Sequence, residues 1–177
     1  MIEYKQLNSV AKHGGIVFLG SSYLKSFPAS ELSLDFETDV PVYNRSIEGL
    51  TVDKACDELQ NCVFDLSPSK VFINLGDEDI KEDDFNTEKF IDKYQWLLYM
   101  LHSNSHAKIY IVSVLSNLPC AHTVNESLKK LAKETGCEYV DASAALKSEK
   151  PSVRLFDVLR FYMRTRPMSF TNAMMSY

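Results

Sequence analysis

A serine stands in a glycine-containing turn, Phe18-Leu19-Gly20-Ser21-Ser22-Tyr23-Leu24, directly after a short apolar run. A seryl hydroxyl is a poor nucleophile until a neighbouring base takes its proton, and imidazole suits that task because it titrates near neutral pH. The chain has four histidines, His13, His102, His106 and His122. A Gly-Ser-Ser turn also arises where a serine caps a helix, so the turn alone does not specify chemistry. Carboxylates concentrate elsewhere, six of them in the eight residues from Asp77 to Asp84. That run fails as an EF-hand calcium loop, because Glu82 falls where glycine must make the sharp turn and no bidentate glutamate follows at the required spacing. It reads as a solvated acidic loop. Cys56, Cys62, Cys120 and Cys137 form no C-x-x-C pair and have no histidines at zinc-finger spacing, so they read as reduced core thiols, and neither metal nor cofactor is expected.

The elements that must position these residues follow from hydrophobic patterning. Ile16 to Leu19, Val71 to Leu75 and Ile109 to Leu115 are rich in β-branched and aromatic residues without clean alternation, which predicts strands buried on both faces. Val40 to Tyr43 and Glu138 to Val140 are weaker strand candidates. Helical periodicity covers Thr51 to Leu66, Thr87 to Ser103 and Thr123 to Thr135, where Gly136 supplies a C-terminal stop. An opening helix from Ile2 to His13 and a closing one from Met168 to Ser176 complete the set. Alternating strands and helices imply right-handed crossovers and a parallel sheet covered on both faces. The expectation is a three-layer α/β/α, flavodoxin-like domain spanning 1–177, with five parallel strands in the order 2-1-3-4-5.

In such sheets ligands sit beyond the carboxyl ends of the strands. Function is therefore expected just after Leu19, Tyr43, Leu75 and Leu115 and in the segment following Val140. His13, His102 and His106 precede strands and belong to the opposite edge. His122, in the loop from Ser116, follows one, which makes it the only candidate substitute base.

Four segments after these strands carry a further signal: Gly20-Ser21-Ser22, Asn44-Arg45-Ser46-Ile47-Glu48-Gly49-Leu50-Thr51, Gly76-Asp77-Glu78-Asp79 and Asp157-Val158-Leu159-Arg160. Together they resemble the four sequence blocks of the SGNH (GDSL-like) hydrolases, a family of serine esterases, lipases and carbohydrate deacetylases, over about residues 14–172. The resemblance implies the fold above, a small acyl ester as ligand, Ser22 as the nucleophile, Gly49 as an oxyanion-hole donor and Asp157 as the triad carboxylate. It also exposes two departures. Glu78 occupies the place of the asparagine in Gly-x-Asn-Asp, and Arg160 that of the histidine in Asp-x-x-His.

Guanidinium keeps its protons under physiological conditions, so Arg160 cannot accept one from Ser22. Loss of one triad member typically costs on the order of 10⁴-fold in rate. A carboxylate at position 78 repels a developing oxyanion that an amide would stabilise. The opposite signs of the two replacements suggest a Glu78–Arg160 ion pair across the old site, with Arg45 and Asp157 as competing partners. The expectation is a catalytically impaired relative that keeps a cleft for a small ligand or partner. The alternative is a weak or specialised esterase using Ser22 with an unidentified base.

Composition bounds the partners. With 177 residues, 45% hydrophobic and 24% charged, the chain is an ordinary globular protein able to bury roughly 70% of its unfolded surface. A net charge of −5 lacks the basic footprint of a nucleic-acid binder. Lys147, Lys150, Arg154, Arg160, Arg164 and Arg166 make the late region basic, which suits an anionic ligand or the acidic loop. Phe156, Phe161, Tyr162 and Phe170 read as core packing. Met1 to Val10 has no apolar stretch of signal-peptide type, and no run of 18 apolar residues occurs, so a cytoplasmic protein without membrane contact is expected. Oligomeric state is left open.

Overall fold

A computed structural model describes residues 4–33 and 38–164. Five strands, β1 (Ile16–Gly20), β2 (Val42–Asn44), β3 (Lys70–Asn74), β4 (Lys108–Val112) and β5 (Glu138–Val140), pair in parallel in the order β2-β1-β3-β4-β5. This is the expected order. The long helices between β2 and β3, between β3 and β4 and between β4 and β5 return the chain to the amino edge, as parallel pairing requires.

The pleat divides the core in two. Val17, Leu19, Val71, Ile73, Ile109 and Ile111 face the side covered by α4 (Val52–Cys62), α5 (Thr87–Asn104) and α6 (Cys120–Thr135). Ile16, Phe18, Phe72, Tyr110 and Val112 face the other side. There Leu24 of α2 (Ser22–Lys25), Ala29 of α3 (Ala29–Leu32), and Leu155, Leu159 and Met163 of α7 (Pro151–Met163) close over them. Phe18 stacks on Phe72 and Phe72 on Tyr110, with ring centroids 4.9 and 4.5 Å apart, so adjacent strands place one aromatic ladder across that face.

The helices depart from their expected limits in informative ways. The opening helix is only α1 (Tyr4–Asn8). The long helix expected to reach Leu66 ends at Cys62 and finishes in a 3-10 turn, Phe64–Leu66. α6 starts at Cys120, so His122 lies on its first turn, exposed, and not in a loop. The segment carrying Asp157 is helical throughout. The expected closing helix, Arg166 and Phe170 lie outside the described residues. All four cysteines are free, but only Cys62 is buried, its thiol pushed up to about 12 by desolvation; the other three are half-buried. Phe161 is 60% exposed, which corrects its assignment to the core. Among the described residues no helix is long and apolar enough to cross a membrane.

Candidate active site

The carboxyl edge is built from the strand ends. Gly20 ends β1 where only glycine fits, since a Cβ there would stand 2.7 Å from the Asn74 carbonyl oxygen and 2.9 Å from Leu24. The chain turns at Ser21 into α2 and sets Ser22 at the first helical position. Beyond β2, the Arg45 and Ile47 amides donate to the Phe18 and Gly20 carbonyls, which extends the ladder into the loop. The Asn44 side chain ties that loop to α2 by donating to the Leu24 and Phe27 carbonyls and accepting from the Ser46 amide. Gly49 then adopts φ +70°, a left-handed conformation that costs glycine little, with its N–H directed at Ser22.

Three of the expected site residues meet there. Ser22 Oγ donates to Glu78 Oε1 at 2.7 Å and accepts from the Gly49 N–H at 3.2 Å. The second carboxylate oxygen of Glu78 lies 3.1 Å from Lys81 Nζ. The hydrogen bond from Ser22, and then the Lys81 ammonium, hold the Glu78 carboxyl below the ordinary carboxylate range, so it is ionised at neutral pH. The hydroxyl therefore donates its proton in a hydrogen bond to an anion and accepts one from a backbone amide.

The expected Glu78–Arg160 ion pair is not formed. Glu78 is engaged by Ser22 and Lys81, while Arg160 Nε stands 3.6 Å from Asp157 Oδ1, an ion-pair distance too long for a hydrogen bond. Both side chains of that pair are about 40% exposed. The physical reason is where α7 runs. It starts after β5 and ends against the amino end of β3, where Lys70 Nζ donates to the Tyr162 and Arg164 carbonyls at 2.6 Å. Asp157 is the middle residue of this helix, and Arg160 lies one turn from its end. Their i, i+3 spacing on the helix pairs them with each other. Arg45, the other competitor, is buried instead. Its guanidinium lies between the Tyr4 and Tyr43 rings and donates to Asn8 Oδ1, and burial lowers its pKa. His122 makes no hydrogen bond to Ser22 among the described residues.

The acidic run is only half solvated, which corrects its reading as a surface loop. Asp77 and Asp79 are 5% and 7% exposed. A 3-10 turn at Asp79–Lys81 folds the run back, so that Asp79 Oδ1 accepts the first amide of α4, Val52 N–H, at 3.1 Å. Burial raises the Asp77 carboxyl, and it pushes Asp79 up to about 6. Composition hides this because carboxylates normally face water. The available signal was the last aspartate of the Gly-x-Asn-Asp pattern, which this chain keeps as Asp79. Among the described residues no group of three or more His, Cys, Asp or Glu could hold a metal ion.

No protein-family model and no curated protein matches the sequence. Solved structures do match the fold. A Streptococcus pneumonia protein provisionally named a platelet activating factor superposes with TM-score 0.77 at 18% identity, over 90% of this chain and 89% of its own. A GDSL-like lipase from Bacteroides thetaiotaomicron gives 0.65 at 17% over 89% and 92%. A catalytic mutant of an acetylxylan esterase from Geobacillus stearothermophilus gives 0.71 at 14% over 89% and 98%. Catalytic mutants of that esterase replace a serine, an aspartate and a histidine three positions beyond the aspartate. The sheet order, the covered faces and these superpositions agree: the chain has the SGNH hydrolase-like fold.

Proposed function

We propose that this chain is a hydrolase-fold protein impaired in acyl transfer, in which Ser22 serves as a fixed hydrogen-bonding group and the carboxyl edge takes a small ligand. The observation that carries this reading is the 2.7 Å hydrogen bond from Ser22 Oγ to Glu78 Oε1. To attack a carbonyl, the hydroxyl must give up its proton to a base as it bonds to carbon. A carboxylate held below its ordinary pKa is a feeble base for an alcohol. The Gly49 amide, which the family resemblance assigns to the oxyanion, already donates to Ser22. Replacing a donor by a carboxylate also inverts the sign of the field where negative charge would develop. Shared fold does not override this, because chemistry resides in the site. Four free cysteines fit a reducing, cytoplasmic setting.

The test is hydrolysis of a short-chain aryl acetate by the protein beside Ser22→Ala. Equal rates are expected; serine-dependent turnover would overturn the reading. A second reading, a weak serine esterase, draws on the same distance, since Glu78 stands within general-base reach of the proton it would abstract. In that case Glu78→Gln would abolish the serine-dependent rate, and activity would persist in acid until Glu78 protonates.

A further inference from the structure

The outer face of α7 joins positive charge to exposed apolar surface. Leu155, Leu159 and Met163 are buried against the aromatic face of the sheet. At the helical period Val153, Arg154, Asp157, Phe161 and Arg164 fall on the opposite side, with Arg160 on its flank. Val153 is 48% and Phe161 60% exposed. We propose that this face docks on an anionic lipid surface, its arginines and the preceding lysines against the headgroups and Phe161 seated at headgroup level.

Three observations favour a lipid surface over other anionic partners. Charge is segregated: from Lys147 to Arg164 the five basic residues, Lys147, Lys150, Arg154, Arg160 and Arg164, stand against Glu149 and Asp157 only, although the whole chain carries −5. The acidic run from Asp77 to Asp84 is repelled by an anionic surface, so the molecule meets such a surface with α7 foremost. The face is a ridge and not a groove. It is a row of side chains about 20 Å long on a single helix, and the cavities bordered by α5 lie on the other side of the sheet. A peptide docks by lying in a groove or along a strand edge, whereas fluid headgroups rearrange around a ridge. Finally, the Arg160 and Arg164 guanidinium groups stand 5.4 and 5.6 Å from the Phe161 ring centroid, which places an apolar ring among cations, the pairing an interfacial helix presents to anionic lipid. The expectation of no membrane contact rested on the lack of a spanning segment, and peripheral docking needs none. These residues are not those of the Ser22 edge, so failure here would leave the reading of Ser22 standing.

The experiment is co-sedimentation of the full chain with vesicles of phosphatidylcholine alone and of phosphatidylcholine with phosphatidylserine as one third of the lipid. Sedimentation with the phosphatidylserine vesicles is expected, and none with phosphatidylcholine alone. Raising NaCl from about 0.1 M to about 1 M, which shortens the screening length to roughly 3 Å, is expected to release the protein. Lys150→Gln with Arg154→Gln, both exposed positions, is expected to weaken partitioning by about tenfold or more. Phe161→Ala is expected to weaken it by about fivefold and to leave the salt dependence in place. Should the double variant not fold, Lys147→Gln, at the end of the 3-10 turn Ser143–Lys147, carries the test with an expected loss of about threefold. Equal sedimentation with both kinds of vesicle would show apolar adsorption only. Phosphatidylserine binding that survives the α7 variants would put the contact on another face. Salt-sensitive self-association without vesicle binding, lost in the same double variant, would make a second copy of this chain the occupant. Binding of polyglutamate without vesicle binding would make it an acidic protein segment. Absence of sedimentation with either vesicle would show a solvated basic face. Each of these results overturns the proposal.

Discussion

Ser22, Gly49 and Glu78 come from segments up to 56 residues apart and meet within 3.2 Å, whereas Asp157 and Arg160, three residues apart, pair with each other. The first group stands on loops that leave strand ends, and parallel register fixes strand ends relative to one another. The second lies on a helix that moves its residues about 1.5 Å along the axis at each step, so Arg160 is roughly 13 Å from the helix start at Pro151. A short motif keeps its place in a site when a strand end holds it. On a helix the same spacing is satisfied locally and says little about the distance to a distant hydroxyl.

The largest effect expected from this contrast is in stability. Leu159 and Arg160 are neighbours on α7, but Leu159 is fully buried on the aromatic face of the sheet while Arg160 pairs at the surface. Leu159→Ala should cost about 2–5 kcal/mol in chemical denaturation, and Arg160→Ala less than about 1 kcal/mol. Comparable losses would mean that Arg160 does more than pair with Asp157.

A smaller effect belongs to the acidic turn that follows Glu78. The Asp79 carboxyl titrates at about 6 in the fold against 3.8 unfolded, so the folded state binds its proton more tightly. The associated penalty is absent below pH 3.8, grows as pH rises through this window, and is complete above 6. Asp79→Asn should therefore stabilise the protein near neutral pH by on the order of 2–3 kcal/mol and flatten its stability between pH 4 and 6. Thermal unfolding across that range is the measurement; an unchanged pH profile would contradict the burial argument.

The smallest effect separates the two regions spectroscopically. Glu78 is held low first by Ser22 and then by Lys81. Ser22→Ala and Lys81→Ala should each raise its carboxyl titration, followed by NMR, and Arg160→Ala should leave it in place. A shift on Arg160→Ala would revive the abandoned ion pair.

The sheet was readable from sequence because Val17, Ile73 and Ile111 belong to apolar runs buried on both faces, and such runs have few other fates. Ser22 and Gly49 were readable because Gly20 and Gly49 meet backbone demands, a close approach and a left-handed turn, that leave little choice of residue. The destination of Glu78 was not, because its partners depend on a 3-10 turn whose burial of Asp77 and Asp79 runs against the polarity of the segment. The expected Glu78–Arg160 pair was not readable for a related reason. Spacing between Asp157 and Arg160 carries no information on where the helix holding them begins.

The central claim is that the Ser22 hydroxyl is tied down and not nucleophilic. The most direct measurement is exposure of the intact protein to an excess of an alkyl fluorophosphonate, with the extent of Ser22 modification read by peptide mass spectrometry against Ser22→Ala. The account expects Ser22 to stay unmodified over hours; rapid, stoichiometric labelling at Ser22 would contradict it.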